Sequence, residues 1–206
     1  ELLLRRLPPQ IRVVLATRED PALGLHRLRL EGALTDVRGP DLCFSLEETR
    51  ALLRDCGIAL SDQAVSSLQE RTEGWAAGLR LAAISLAAHP DPERFVAEFS
   101  GSKRTVAGYL LAEVLGRQPP EVRDLLLRTS IPERVSGPLA DALTGGTGAE
   151  AILLRLEAQN AFVTALDAAR TWFRYHHLFA DLLRLELRHA APAAIRRSAS
   201  RRVTSE

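Results

Sequence analysis

The 206-residue sequence contains no methionine, two cysteines and a single lysine, and only 5% of its residues are aromatic. The two cysteines, Cys43 and Cys56, are too few for a disulfide framework or, unaided, for a metal site. No apolar run approaches the roughly 20 residues that span a bilayer, and the start of the sequence lacks the order of a signal peptide. We therefore expect a cytoplasmic protein with no membrane partner. The missing methionine indicates either processing or a piece of a longer chain.

The sequence also lacks the motifs of an independent catalytic centre. The lone lysine, Lys103, follows Gly101-Ser102 without the upstream glycine and strand of a Gly-x-x-x-x-Gly-Lys phosphate loop. No apolar strand ends in the acidic pair that holds a metal ion in P-loop enzymes, and no Gly-x-Ser-x-Gly elbow occurs. The neighbours His176 and His177 do not have a metal-ligand spacing, because adjacent side chains on a helix face different directions. We expect neither an enzyme nor a metal protein.

The formal charge is nearly balanced, with 27 Lys+Arg against 26 Asp+Glu. Residues 194–206 hold four arginines against one glutamate, so the rest of the chain is slightly acidic. A nucleic-acid-binding domain usually carries a strong basic patch. The count gives no such excess in the body of the chain.

The first part of the chain has the pattern of a strand followed by a polar loop. Residues 11–16 are short, apolar and rich in β-branched side chains, which predicts a buried strand. Leu25 and Leu28 have helical spacing, and residues 42–44 are a second strand candidate.

From Ser45 onward the pattern is helical. Ser45 with Glu48 predicts a capping box, and Ser61 and Asp91-Pro92 have the composition of further helix starts. Two β-prone runs, residues 162–166 and 172–175, flank a polar turn and predict a hairpin, and a helix is predicted at residues 178–187. This order is typical of a winged helix. The predicted fold is mainly α.

Three segments carry a resemblance to a known family: residues 7–18 (LPPQIRVVLATR), 71–81 (RTEGWAAGLRL) and 173–184 (FRYHHLFADLLR). In this order and spacing they resemble the MalT-like signal-transducing ATPases, which are large LuxR-family ATP-binding regulators of bacteria. The resemblance implies that residues 1–44 are the C-terminal remnant of a P-loop α/β domain that contains the sensor 1 strand. Residues 45–101 would be a helical domain, residues 102–190 a winged-helix domain, and residues 191–206 the start of a helical-repeat sensor region. It also implies truncation at both ends.

The resemblance implies a nucleotide-binding role for four residues. Arg18 resembles the sensor 1 arginine near the terminal phosphate, with a surface role beside Glu19 as the alternative. His176 resembles a histidine that touches the ADP β-phosphate in related switches, with a partly buried structural role as the alternative. Gly74 and Trp75 match the start of a Gly-x-Pro motif that packs on adenine, although Trp75 is also consistent with a core position.

The functional expectation is a regulatory portion that couples nucleotide state to open and closed conformations. ATP or ADP would bind the full-length parent, and this fragment alone would not bind them tightly. Its partners would be the rest of the nucleotide-binding domain and the sensor repeats, and DNA would be bound only through a C-terminal helix-turn-helix absent from this sequence. The alternatives are a winged helix that binds DNA by itself and a protein-interaction module that self-associates.

Overall fold

The computed structural model describes residues 8, 10–17, 20–101, 104–159 and 161–203, with side chains as far as residue 190 apart from Arg104. Within these ranges the fold is mainly helical with one small sheet, as predicted. No helix among them is both long enough and apolar enough to cross a bilayer.

The helices before residue 101 begin where the local capping signals predict. The side-chain oxygen of Ser45 accepts the Glu48 N–H at 3.2 Å, and the Glu48 carboxylate accepts the Ser45 N–H at 2.8 Å, which closes the predicted capping box. Ser61 and Asp91 cap the helices that follow them. The elements are α1 Leu25–Leu30, a 3-10 turn at Gly39–Leu42, α2 Leu46–Asp55, α3 Asp62–Thr72, α4 Ala76–Ala87 and α5 Pro92–Ala97.

Both strands predicted before Ser45 are wrong. Residues 11–16 form no strand, and Val14 is 91% exposed rather than buried. Residues 39–42 form the 3-10 turn, so the second candidate begins inside a turn. A strand is stable only when its N–H and C=O groups pair with a neighbouring strand, and the described residues offer these segments no such neighbour.

The second half of the chain has the winged-helix order. Its elements are α6 Arg104–Glu113, a 3-10 turn at Leu115–Arg117, α7 Pro120–Arg128, β1 Val135–Ser136, α8 Gly137–Thr144, α9 Ala149–Ala158, β2 Val163–Ala165, β3 Trp172–Tyr175 and α10 His177–Val203. The predicted hairpin is confirmed, with Val163 opposite Tyr175 and Ala165 opposite Phe173. The sheet order is β1-β3-β2, and the third strand, β1, was not predicted.

One continuous hydrophobic cluster runs through the helical region (residues 45–101) and the winged-helix region (residues 102–190). Phe99 at the end of the first region and Phe173 and Phe179 in the second are among the largest fully buried side chains. Burial of a side chain of this size stabilises the fold by about 1.5–3 kcal/mol. The shared cluster brings the turn between α3 and α4 against the start of α10, and this contact is the junction described next.

Candidate functional site at the junction of the helical and winged-helix regions

The turn between α3 and α4 has two consecutive left-handed residues, Glu73 with φ 50° and Gly74 with φ 71°. A side chain at Gly74 would not fit, because its Cβ would lie 2.4 Å from the carbonyl oxygen of Phe44. The Gly74 carbonyl also accepts the Phe44 N–H at 2.8 Å, which ties the turn to the chain before α2. For a glutamate the left-handed conformation costs on the order of 1 kcal/mol, so the contacts of Glu73 must hold it there.

The Glu73 carboxylate binds the Arg174 guanidinium through two parallel hydrogen bonds. Nη1 of Arg174 lies 2.8 Å from Oε1 and Nη2 lies 2.6 Å from Oε2. The same Oε1 accepts the backbone N–H of His177 at 3.1 Å. Because Arg174 is on β3 and His177 is the first residue of α10, one carboxylate holds both elements against the end of α3.

His176 links the same two regions through its imidazole ring. Its Nε2 lies 2.9 Å from the Thr72 carbonyl oxygen, and its Nδ1 lies 3.2 Å from the Leu178 backbone nitrogen. The carbonyl can only accept and the backbone N–H can only donate. The ring is therefore neutral with its proton on Nε2, and both nitrogens are used inside the protein.

The environment shifts the pKa values of these groups in a consistent way. Partial burial raises the pKa of Glu73, but the hydrogen bond from Arg174, the hydrogen bond from the His177 backbone N–H and the charge of Arg174 outweigh it, and the pKa falls from 4.5 to about 2. Burial lowers the pKa of His176, and the Glu73 carboxylate opposes this shift only in part. At neutral pH the junction therefore contains an ionised Glu73, a charged Arg174 and a neutral His176.

The rest of the segment from Phe173 to Arg184 makes two polar contacts within the winged-helix region and one with the end of the helical region. The Tyr175 hydroxyl lies 2.6 Å from the Thr129 hydroxyl in the interior. Nε of Arg184 donates to the Ser130 carbonyl at 2.9 Å, and the Asp181 carboxylate accepts the Gly101 N–H at 3.3 Å. Polar residues of this segment thus bind the ends of α3, α5 and α7, while its apolar residues fill the core.

Trp75, at the start of α4, is the centre of an aromatic group. Its ring meets Phe162 edge-on at 4.9 Å between centroids, Tyr109 at 5.6 Å and the His176 ring at 6.1 Å. The ring also lies directly over Gly78, where an added Cβ would be 2.5 Å from Cε3 of the indole. Trp75 is therefore positioned by one glycine of its own helix and by two aromatic rings of the winged-helix region.

A cavity of about 470 Å³ opens beside this group, which is within the size range of small-molecule sites. Residues of three separate parts of the chain line it, among them Thr17, Trp75, Tyr109, Arg117, Gln159 and Phe162. Among the described residues that line the cavity, the cation is Arg117, and it is paired with Glu113 at 2.5 Å. The aromatic walls can stack on a flat ring, and Thr17 brings the segment before Arg18 to the cavity.

Three of the four residues singled out from the sequence lie at this junction. Trp75 lines the cavity, Gly74 fixes the turn before it, and His176 packs on Trp75. Arg18 lies outside the described residues, although its neighbour Thr17 lines the cavity.

The sequence reading missed Glu73 and Arg174, although both occur in the segments that carry the family resemblance. The two charges of opposite sign were the available signal, but it was weak, because each motif also contains other charged residues, such as Arg71 and Asp181. Tyr109 and Phe162 were missed as cavity residues because no pattern distinguishes a cavity wall from a core position.

Comparisons with known proteins show a similarity to one family in the second half of the chain. Residues 111–195 match the family model described as the MalT winged helix domain. The chain is 35% identical over 178 residues to the serine/threonine-protein kinase PknK of Mycobacterium tuberculosis H37Rv, which is 86% of this chain and 16% of that protein.

It is also 31% identical over 185 residues to the HTH-type transcriptional regulator MalT of Serratia proteamaculans, which is 88% of this chain and 20% of that protein. The MalT of Klebsiella pneumoniae strain MGH 78578 is 30% identical over the same length. The chain thus spans about a fifth or less of the curated relatives it matches, and the match includes the junction residues of both regions.

Proposed function

We propose that this chain is the regulatory portion of a nucleotide-controlled transcription regulator. The proposal is supported by the match of residues 111–195 to the MalT winged helix domain and by the similarity to MalT regulators over most of the chain. In this proposal the junction senses whether ATP or ADP is bound to a preceding P-loop domain. The winged-helix region then changes its packing on the helical region, and the molecule changes between closed and open forms.

One observation carries the proposal: the cavity is lined by Thr17, Trp75 and Phe162, which come from the predicted sensor 1 segment, the helical region and the winged-helix region. A ligand that fills this space would contact all three parts at once. Such a ligand can change their relative packing only if it binds the two arrangements with different affinities.

The match to both a kinase and a transcription regulator supports the same proposal. One relative is named as a kinase and the other as a transcriptional regulator, yet each contains a segment similar to this chain. A segment shared by proteins with different outputs is expected to regulate rather than to catalyse. We accordingly propose no enzymatic activity for this chain.

The residues of the cavity fit the base of a nucleotide better than its phosphates. Trp75, Tyr109 and Phe162 present aromatic surface, whereas Arg117 is already paired with Glu113. An ordinary phosphate site needs several N–H groups or free cations. The chain by itself is therefore proposed to bind ATP and ADP weakly, with the phosphates held by a preceding P-loop domain.

The test has two arms. Calorimetric titration of this chain with ATP or ADP should give no sub-millimolar dissociation constant. A sub-millimolar constant would contradict the proposal that a preceding P-loop domain holds the phosphates. In the protein that carries the preceding P-loop, ADP and ATP should change the fluorescence of Trp75 differently. Trp172→Phe removes the other tryptophan of this chain. Equal responses to the two nucleotides would refute the coupling.

DNA binding by the winged helix is the alternative function, and α9 is the helix that would enter the groove. Its charged side chains are Glu150, Arg155 and Glu157, of which Glu157 is paired with Arg170. Recognition helices normally bring several cations to phosphates and base edges. Salt-dependent binding of duplex DNA that is lost in Arg155→Ala would favour this alternative over the regulatory proposal.

A further inference from the structure

The polar contact between Glu73 and Arg174 joins residues 101 positions apart in the chain. The side chains are 24% and 32% exposed, so water reaches the pair only in part. Partly buried, two-pronged pairs of this kind are stronger and more directional than exposed ion pairs. The pair is therefore able to fix the orientation of the winged-helix region relative to the helical region.

The backbone of Glu73 indicates that this contact is maintained against a local cost. A glutamate with φ 50° is in a conformation that few residues other than glycine adopt. Arg174 and the N–H of His177 hold its carboxylate in place. If Arg174 moves away, the turn loses the interaction that offsets its strain.

The neighbouring contacts depend on the same pair. Glu73 lies between Thr72, whose carbonyl accepts from His176, and Gly74, whose carbonyl accepts from Phe44. A change in the Glu73 turn therefore displaces both the acceptor of His176, which is in the winged-helix region, and the acceptor of Phe44. His176 cannot replace the lost contact of Glu73, since both of its ring nitrogens are already hydrogen-bonded.

We propose that Glu73 and Arg174 form a clasp that holds the winged-helix region on the helical region, and that breaking it allows a second, more open arrangement of the two regions. The clasp goes beyond the nucleotide proposal and does not depend on it. It assigns the control of the junction to two residues that contact each other directly and that do not line the cavity.

The experiment measures the distance between the two regions by electron spin resonance on paired spin labels. Labels are attached at Gln63→Cys on α3 and Ala151→Cys on α9, both exposed positions, in a chain with Cys43→Ser and Cys56→Ser. The unmodified junction should give one narrow distance distribution. Arg174→Gln and Glu73→Gln should each add a longer population, displaced by about 5 Å or more, which is the scale of a one-turn shift of a packed helix.

Two comparisons separate the clasp from general destabilisation. Arg174→Lys keeps the charge but not the two parallel bonds, so its longer population should be smaller than that of Arg174→Gln. Arg50→Gln removes an ion pair of Arg50 with Asp62 that joins α2 and α3 within the helical region. That control should leave the distribution narrow.

Salt provides a measurement that needs no substitution. If Arg174→Gln fails to fold, the labelled chain in 1 M NaCl is measured instead. Salt at about 1 M shortens the screening length to about 3 Å and weakens the part of the attraction that passes through water, since the two side chains are 24% and 32% exposed. The longer population should then grow. A distribution that stays narrow in the glutamine variants, or in high salt when those variants do not fold, would overturn the clasp.

Discussion

The Nε2 atom of His176 lies 2.9 Å from the carbonyl oxygen of Thr72, which is 104 residues earlier in the chain. With the Leu178 N–H on the other ring nitrogen, the imidazole is a neutral crosslink between α3 and the start of α10. In this arrangement a phosphate cannot take a hydrogen bond from His176 unless the Thr72 bond is given up. A phosphate contact of the kind implied by the family resemblance would therefore require a different arrangement of the junction.

The neutral state of His176 predicts that acid weakens the fold. Because its pKa is lowered from 6.5 in the folded protein, the unfolded chain binds the extra proton first as the pH falls. The stability contributed by His176 is complete above pH 6.5 and is lost as the pH falls toward the folded pKa. Urea unfolding at pH 7.5, 6.5 and 5.5 should show this decline, and His176→Gln should show less of it.

His26, exposed on α1, provides the matched control for this measurement. His26→Gln should keep the wild-type pH dependence, and an equal flattening in both variants would contradict the assignment to His176. His176→Phe removes the donor to Thr72 and the acceptor for Leu178, so at pH 7.5 it should cost about 1–3 kcal/mol of unfolding free energy.

Gly101 is required where the chain passes the start of α10. A Cβ at this buried residue would lie 1.6 Å from the carbonyl oxygen of Leu178, which is backbone and cannot rotate away. Gly101→Ala should therefore displace α10 from the end of α5 and destabilise the chain by about 3 kcal/mol, at the upper end of overpacking effects. Thermal unfolding followed by circular dichroism measures this loss.

Gly108 is the control for the same change, because it lies on the exposed side of α6 with nothing within 4 Å of an added Cβ. Gly108→Ala should raise the stability by about 0.5–1 kcal/mol, since alanine favours the helix interior. The steric reading of Gly101 would be wrong if both alanine variants moved the midpoint in the same direction.

The helical parts of this fold could be predicted because their signals are local. Ser45 with Glu48, and Asp91 with Pro92, place a cap and its partner within three residues of each other, and each helix begins there. The strand predicted at residues 11–16 failed because strand formation depends on a partner, which a local pattern does not supply. β1 is only two residues long, Val135–Ser136, and is too short to have a pattern.

The site was predictable only through the family resemblance. Gly74, Trp75 and His176 were selected from motifs, and the structure shows that they are neighbours. The Glu73–Arg174 contact could not be read from one sequence, because nothing in either motif specifies a partner 101 residues away. The predicted domain boundaries and the role of Arg18 remain predictions.

The buried hydroxyl of Tyr175 should lower the free energy of unfolding at high pH. Burial raises the pKa of its hydroxyl from 10.0 to about 12, and the hydrogen bond with Thr129 only partly opposes this shift. Because the folded pKa is raised, the contribution is complete below pH 10 and is lost as the pH rises toward 12. Unfolding free energies at pH 9, 10 and 11 should fall for the wild type.

Tyr175→Phe should remove most of this alkaline decline. At pH 8 it should cost only about 0.5–1.5 kcal/mol, because the Thr129 hydroxyl keeps its bond to the Leu125 carbonyl at 2.7 Å. Tyr109→Phe, on the exposed side of the cavity, is the comparison variant and should retain the decline. An unchanged alkaline slope in Tyr175→Phe would show that another group titrates.

A substitution at Gly78 should move Trp75, which forms one wall of the cavity, without replacing any aromatic residue. Because an added Cβ would lie 2.5 Å from the indole of Trp75, Gly78→Ala must push the ring away from α4 toward Phe162 and the cavity. The cost should be about 1–3 kcal/mol. In a Trp172→Phe background the emission maximum of Trp75 should shift, whereas Gly108→Ala should leave it unchanged. If Gly78→Ala left both the emission and the unfolding midpoint unaltered, Trp75 would not be seated on this glycine, and the wall of the cavity would have to be assigned to other contacts.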